Sequence, residues 1–344
     1  FNFKIFSLSC LIFAGIVSFS VLFDGIAQII SVINIERSGH VPFPQIHSSS
    51  FLFGGELISG GYIQRFACIG IFFIPFFMKE KKNTFLIYMS CAIAIFSASI
   101  ILSGNRMPFM LFIMFLFLGV ILAKGIRKAF LSGLFLSLLV FVSILTFQRD
   151  HYLNWNSFYT NVVRSIIPGS KYFILDEVNK DYSDLKEQMS KNKKVDQLKN
   201  ERFDYSYWKE KNYKGIRIIP FGTGHRVIWT TAIETWLEKP FIGSGIKSFR
   251  ETCKKRIVLP NRTCESHTHN YYLEVLNDTG VFGAIFIFLS LYILLIKKFI
   301  EYYSKNKKNI FGDFIFYALF FSIVLEFFPI RSSGNFFSTY NSAF

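Results

Sequence analysis

The chain gathers its apolar residues into uninterrupted blocks of about 18 to 20, and no other feature limits the fold as much. A helix needs about 20 residues to cross the roughly 30 Å of hydrocarbon in a bilayer. Inside lipid every backbone N–H and C=O must find a partner within the protein, and helices achieve this most economically. The blocks lie near 5–23, 62–78, 84–102, 107–123, 129–147, 279–296 and 311–328. They predict an all-α polytopic membrane protein with about seven transmembrane helices. Composition agrees, with 51% of the 344 residues hydrophobic and 44 of them Phe. The first block is too long for the core of a signal peptide, and no small-residue cleavage site follows it. The sequence begins at Phe1 rather than Met and stops at Phe344 in an aromatic run. Both ends read as cut, with further helices expected outside them.

Basic residues set the expected orientation. Lys79, Lys81 and Lys82 form one short loop, and Lys124, Arg127 and Lys128 a second. Lys297, Lys298, Lys305, Lys307 and Lys308 form a third. Short loops rich in Lys and Arg mark the cytoplasmic side, and alternating spans put all three there. The expected division is 1–147 with five spans, 148–278 as a large periplasmic loop, and 279–344 with two spans. The net charge of +15 is partly this topology. The mildly basic outer loop favours anionic partners such as phosphates, and nucleic acid is not expected there. Cys10, Cys68 and Cys91 fall in spans as packing residues. Cys253 and Cys264 share the outer loop, where a disulfide is permitted, though spacing alone does not pair them.

Within that loop the stretch around 176–214 is polar and charged and carries no assigned chemistry. "GTGHRVIWTTAIETWLEKP" differs, because Trp229, Ile233, Trp236 and Leu237 recur at helical spacing. Gly222 and Gly224 open that helix and Lys239 with Pro240 closes it. Its stripe predicts packing against the membrane domain rather than a ligand box. "FIGSGIKSF" superficially resembles a phosphate loop, but its spacing does not fit G-x-x-x-x-G-K-[ST].

Several residues have the chemistry to act on a substrate, each beside a plainer alternative. His269 precedes a helix-like run that enters the span from 279, which sets it at the outer membrane surface. It is either an interfacial polar residue or an imidazole placed to accept a proton near neutral pH. His267 has the plainer alternative too. In an extended strand the two imidazoles point to opposite sides, and no Cys/His/Asp set with ligand spacing accompanies them. Arg226 lies in the first turn of the "GHRVIW" helix, as a surface arginine or as part of a phosphate site with the helix N–H groups. Arg106, in the turn "SGNR", is a snorkelling residue or a partner for a lipid diphosphate. Arg65 opens another span with the same two readings. Glu326 and Arg331 border the last span, where charges are costly, and are expected to be functional or to pair with each other.

"HNYYLEVLNDTGVFG" resembles the O-antigen ligase signature of His, then Asn, Ser or Gln, nine residues, Gly, two residues and Gly. Its positions here are His269, Asn270, Gly280 and Gly283. The Gly-His-Arg helix, the following Pro-φ-x-Gly-x-Gly stretch and the "SGNR" turn are similar to other parts of the O-antigen ligase and polymerase superfamily. The resemblance covers roughly 85–344. It departs in the charged insert around 176–214 and in Ala284 and Ile285 after the second Gly. The resemblance implies a bacterial inner-membrane transferase that takes a glycan from undecaprenyl diphosphate at the periplasmic face. The acceptor is lipid A–core, another glycan repeat or a protein hydroxyl. It implies His269 as base and Arg226 as the positive charge for the departing diphosphate, with Arg106, Arg65 and Asn270 as substrate contacts. Fixed guanidinium groups would do the work of a divalent ion, so neither metal nor cofactor is expected. A lipid-linked glycan transporter is the rival of another class. It predicts charges deep in several spans and a repeat between halves, and the sequence has neither.

Overall fold

The apolar blocks fold as helices, and the breaks between them follow from individual residues. In order these are α1 (Phe3–Arg37), α2 (Ser59–Gly70), α3 (Phe73–Phe77), α4 (Lys82–Leu102), α5 (Arg106–Leu122) and α6 (Arg127–Phe147). Then come α7 (Gly224–Trp236), α8 (Phe249–Lys255), α9 (Tyr271–Lys305) and α10 (Ile310–Glu326). The computed structural model describes residues 2–37, 51–53, 58–77, 82–147, 155–156, 224–255, 264–305, 310–329 and 331. No strand occurs among them. The charged insert at 176–214, Gly222, Lys79, Lys81, Lys307 and Lys308 lie outside the described residues.

The expected spans other than 62–78 each fall largely on one helix, but among the described residues four helices are long and apolar enough to cross a membrane. They lie in α1, α4, α6 and α9. With 17 residues, α5 is about 26 Å long at 1.5 Å per residue. The block at 62–78 is not one helix. Pro75 has no N–H to give to the Ile71 carbonyl, and Ile74 takes it in a tighter turn at 3.2 Å. The helix therefore breaks at Ile71 and Phe72, between α2 and α3.

The chain forms two units, 1–155 with 295–328, and 156–294 with 329–344. In the first, Phe72 is fully buried, with its ring 6.0 Å from Phe115, 6.0 Å from Phe130 and 6.1 Å from Phe321. Lipid supplies no hydrophobic force between helices, so small and polar residues fasten them. Ser90 meets Ser132, and Ser97 meets Ser137, each at 2.6 Å between α4 and α6. Tyr317 of α10 donates to the Leu122 carbonyl of α5 at 3.0 Å.

Candidate functional site

In the first unit the "SGNR" turn is folded on itself. Asn105 Nδ2 donates to the Ser103 carbonyl at 3.2 Å and to Ser103 Oγ at 3.0 Å. Arg106 follows as the first residue of α5, partly buried. Arg65, on α2, meets Glu326 of α10 through two bonds of 3.0 Å. A bidentate guanidinium–carboxylate pair of this kind is strong and geometrically specific. Glu326 thus has Arg65 as a partner, a pairing across the sequence that the reading of Glu326 with Arg331 did not include. Arg65, read as a diphosphate contact, gives two of its N–H donors to this carboxylate.

In the second unit the turn before α9 is built around Asn270. Its Oδ1 accepts from the backbone N–H of Tyr272 at 3.0 Å and of Leu273 at 3.2 Å, which caps two orphan donors of the helix. Its Nδ2 donates to the Pro329 carbonyl at 2.8 Å and the Arg331 carbonyl at 3.4 Å. The amide of Asn270, read as a substrate contact, is thus engaged by protein at both ends. Fully buried Thr268 donates to the Asn270 carbonyl at 2.9 Å. His269 sits between these two anchored residues with φ 55°, a left-handed conformation uncommon for a non-glycine residue. The consequence reverses one expectation. His267 and His269 do not point apart, and their ring centroids are 4.0 Å from each other. A left-handed residue breaks the alternation of an extended strand. Burial pushes the His267 imidazole below its ordinary value, opposed by the charge of Glu265. Its Nδ1 lies 2.9 Å from Ser266 Oγ.

The predicted stripe of α7 packs, with Leu273 at the start of α9 as its partner. Trp229 and Ile233 form a core with Trp236, Leu237 and Leu273. Farther along, Asn277 Nδ2 donates to the Ala232 carbonyl at 3.0 Å. Past the end of α7, Val281 N–H donates to the Pro240 carbonyl at 2.8 Å. Partners on α9 therefore advance in chain order as α7 advances, so the two helices run in the same direction. Arg226, one turn before Trp229, and His269, one turn before Leu273, then belong to the same end. α7 presents its N-terminus there, where backbone N–H groups favour an anion, while at α9 the Asn270 side chain already caps those of Tyr272 and Leu273.

A clasp at the other end maintains this register. α9 bends at Gly280, with φ 67° and ψ −171°. A Cβ at Gly280 would strike the backbone of Phe241 and Ile242. Gly243, with φ 68°, lies equally close to the Asp278 backbone. Asp278, 2% exposed, accepts the N–H of Lys247 at 2.7 Å and of Ser248 at 3.3 Å. The glycines of "FIGSGIKSF" thus serve close backbone packing. Cys253 and Cys264 are disulfide-bonded with Cα atoms 5.8 Å apart, which ties α8 to the irregular segment leading into His267. Among the described residues no group of three or more His, Cys, Asp or Glu side chains gathers as a metal site needs.

A family model described as O-Antigen ligase matches residues 91–288, more than half of the chain. The chain belongs to the O-antigen ligase family. The matched region contains the Arg106 turn, the Arg226 helix, the clasp and His269, while Arg65 and Glu326 fall outside it. No curated protein and no solved structure matches the chain. O-antigen ligase membership carries glycan-transferase activity on lipid-linked glycans, in a multi-pass membrane protein.

Sequence reasoning did not single out Asp278, Asn277 or Thr268. The dipeptide Asn277–Asp278, polar residues just ahead of an apolar run, was the available signal.

Proposed function

We propose that this O-antigen ligase family member moves a glycan from undecaprenyl diphosphate to a hydroxyl of lipid A–core, at the periplasmic face of a bacterial inner membrane. The observation that carries the proposal is the shared end of α7 and α9, with Arg226 in the first turn of one helix and His269 at the threshold of the other. His269 takes the proton of the acceptor hydroxyl. The hydroxyl oxygen bonds to the anomeric carbon as the bond from that carbon to the diphosphate oxygen breaks. The electron pair leaves with the polyprenyl diphosphate, whose growing charge Arg226 and the N–H groups that open α7 stabilise. A positioned base typically supplies ~10²–10⁴ in rate.

The other predicted residues divide by their bonds. Asn270 acts by holding His269 in place, since its amide is already occupied. Arg65 ties α2 to α10. Arg106 is proposed as a diphosphate or headgroup contact in the first unit. The periplasmic orientation draws support from the basic short loops and from the Cys253–Cys264 bond, since disulfides persist in oxidising compartments. Metal independence belongs to the proposal and predicts full activity in chelator.

The test is complementation of two strains, one lacking its O-antigen ligase and one its polymerase. Return of glycan on lipid A–core in the first strain, lost with Arg226→Ala, supports the proposal. Return of the polymer ladder only in the second makes the chain a polymerase that uses the same donor.

A further inference from the structure

The loop from Pro240 to Ile246 ends in an apolar tip that stays exposed among the described residues. Ile242 is 75% exposed and Ile246 66%, with Phe241 close behind at 62%. An exposed cluster of this kind on a loop normally marks an interaction surface. Here the surface continues onto the outer face of α9. The Phe241 ring stacks on Phe282 at 5.9 Å, and Phe282, Phe286 and Leu289 carry the apolar face onward along a helix able to cross a membrane.

Backbone bonds fix the level of the tip. The N–H groups of Val281 and Phe282 donate to the Pro240 and Phe241 carbonyls, at 2.8 and 3.3 Å. These are orphan donors of the helix that restarts after Gly280. The loop is the cap of that span and lies at the depth where it begins. Irregular backbone at such depth is tolerated only when its polar groups are satisfied by protein, and here they largely are. Gly243 N–H bonds Lys239 O, Ser244 N–H bonds Asn277 O, and Gly245 N–H bonds Asp278 O. Lys247 and Ser248 donate to the Asp278 carboxylate. Exposed Lys239, Lys247 and Arg250 flank the tip, alongside exposed Glu238 and Glu251. A wet surface loop needs no such internal satisfaction, since water would supply it.

We propose that Phe241, Ile242 and Ile246 are seated among the acyl chains of the bilayer leaflet that α9 enters, with Lys239 and Lys247 at its headgroups. The loop anchors the α7–α9 platform to the membrane surface. This rests on α9 crossing the bilayer and is independent of the transfer chemistry.

The test uses the full chain carrying Cys91→Ser, since Cys10 and Cys68 are buried and Cys253 and Cys264 are bonded. A spin label is placed at Ile242→Cys, with Ile246→Cys as a second site. Phe286→Cys serves as the lipid reference and Glu251→Cys as the water reference. The nanodiscs contain phosphatidylethanolamine and phosphatidylglycerol and no polyprenyl lipid. Labels at 242 and 246 are expected to relax with oxygen as the Phe286 reference does, and to be shielded from a water-soluble nickel complex. Nickel accessibility equal to the Glu251 reference would put the loop in water and overturn the proposal. Low accessibility to both reagents would mean that a protein surface, such as a second copy, covers the tip, and would overturn it as well.

Discussion

His267 and His269 bring their imidazole rings to 4.0 Å across a single intervening residue. The contact exists because His269 is left-handed while Thr268 and Asn270 on either side are buried and bonded. The imidazole proposed as base is therefore presented by backbone geometry as much as by residue type. Glycine adopts this backbone region freely, whereas alanine does not. His269→Gly removes the ring without straining the turn. It is expected to lower transfer by ~10²–10⁴ while thermal unfolding in detergent stays close to wild type. A loss of fold rather than of rate would assign His269 to structure.

Asn270 should be separable into its two halves. Asn270→Asp keeps an oxygen for the N–H groups of Tyr272 and Leu273 but loses the donors to Pro329 and Arg331. Asn270→Ala loses both, and the cap alone is worth ~0.5–2 kcal/mol. Calorimetry is expected to find both variants less stable than wild type, since the aspartate also sets a buried carboxylate oxygen against those two carbonyls. Equal stability of all three would contradict the bonds described.

Arg65 and Glu326 form a pair across 261 residues of sequence. Single alanine variants should destabilise the protein, with a coupling energy of ~0.5–3 kcal/mol in the double-mutant cycle. The exchanged pair, Arg65→Glu with Glu326→Arg, is expected to regain most of the stability and transfer activity. Regained stability without transfer would return Arg65 to the substrate.

Burial lowers the His267 pKa, and Glu265 opposes this. Because the folded value is below the unfolded one, the unfolded chain takes up the proton first as pH falls. The protein is then expected to lose stability below about pH 6.5, the ordinary histidine value, and to keep it above. Melting temperatures from pH 7.5 to 5.5 should fall less steeply in His267→Gln. Identical slopes would remove His267 from the effect.

How much of this the sequence revealed depends on the range of each interaction. The stripe at Trp229, Ile233, Trp236 and Leu237 was readable because helical periodicity is local. The break at Pro75 is local too, but it was masked by the continuous apolar run at 62–78. The approach of His267 to His269 was not readable, since residue type does not announce a left-handed histidine. The Arg65–Glu326 pair and the clasp of Gly243 on Asp278 were hidden because both join segments distant in sequence. Asn270 was visible through the His-Asn motif, but its task was not, as that depends on the carbonyls of Pro329 and Arg331.

The central claim is that His269 and Arg226 transfer a lipid-linked glycan. The most direct measurement is transfer by purified protein in nanodiscs holding undecaprenyl-diphosphate-linked glycan and lipid A–core, with chelator present. Wild type is expected to form glycosylated lipid A–core, and His269→Gly and Arg226→Ala to form almost none. Undiminished product from either folded variant would contradict the account.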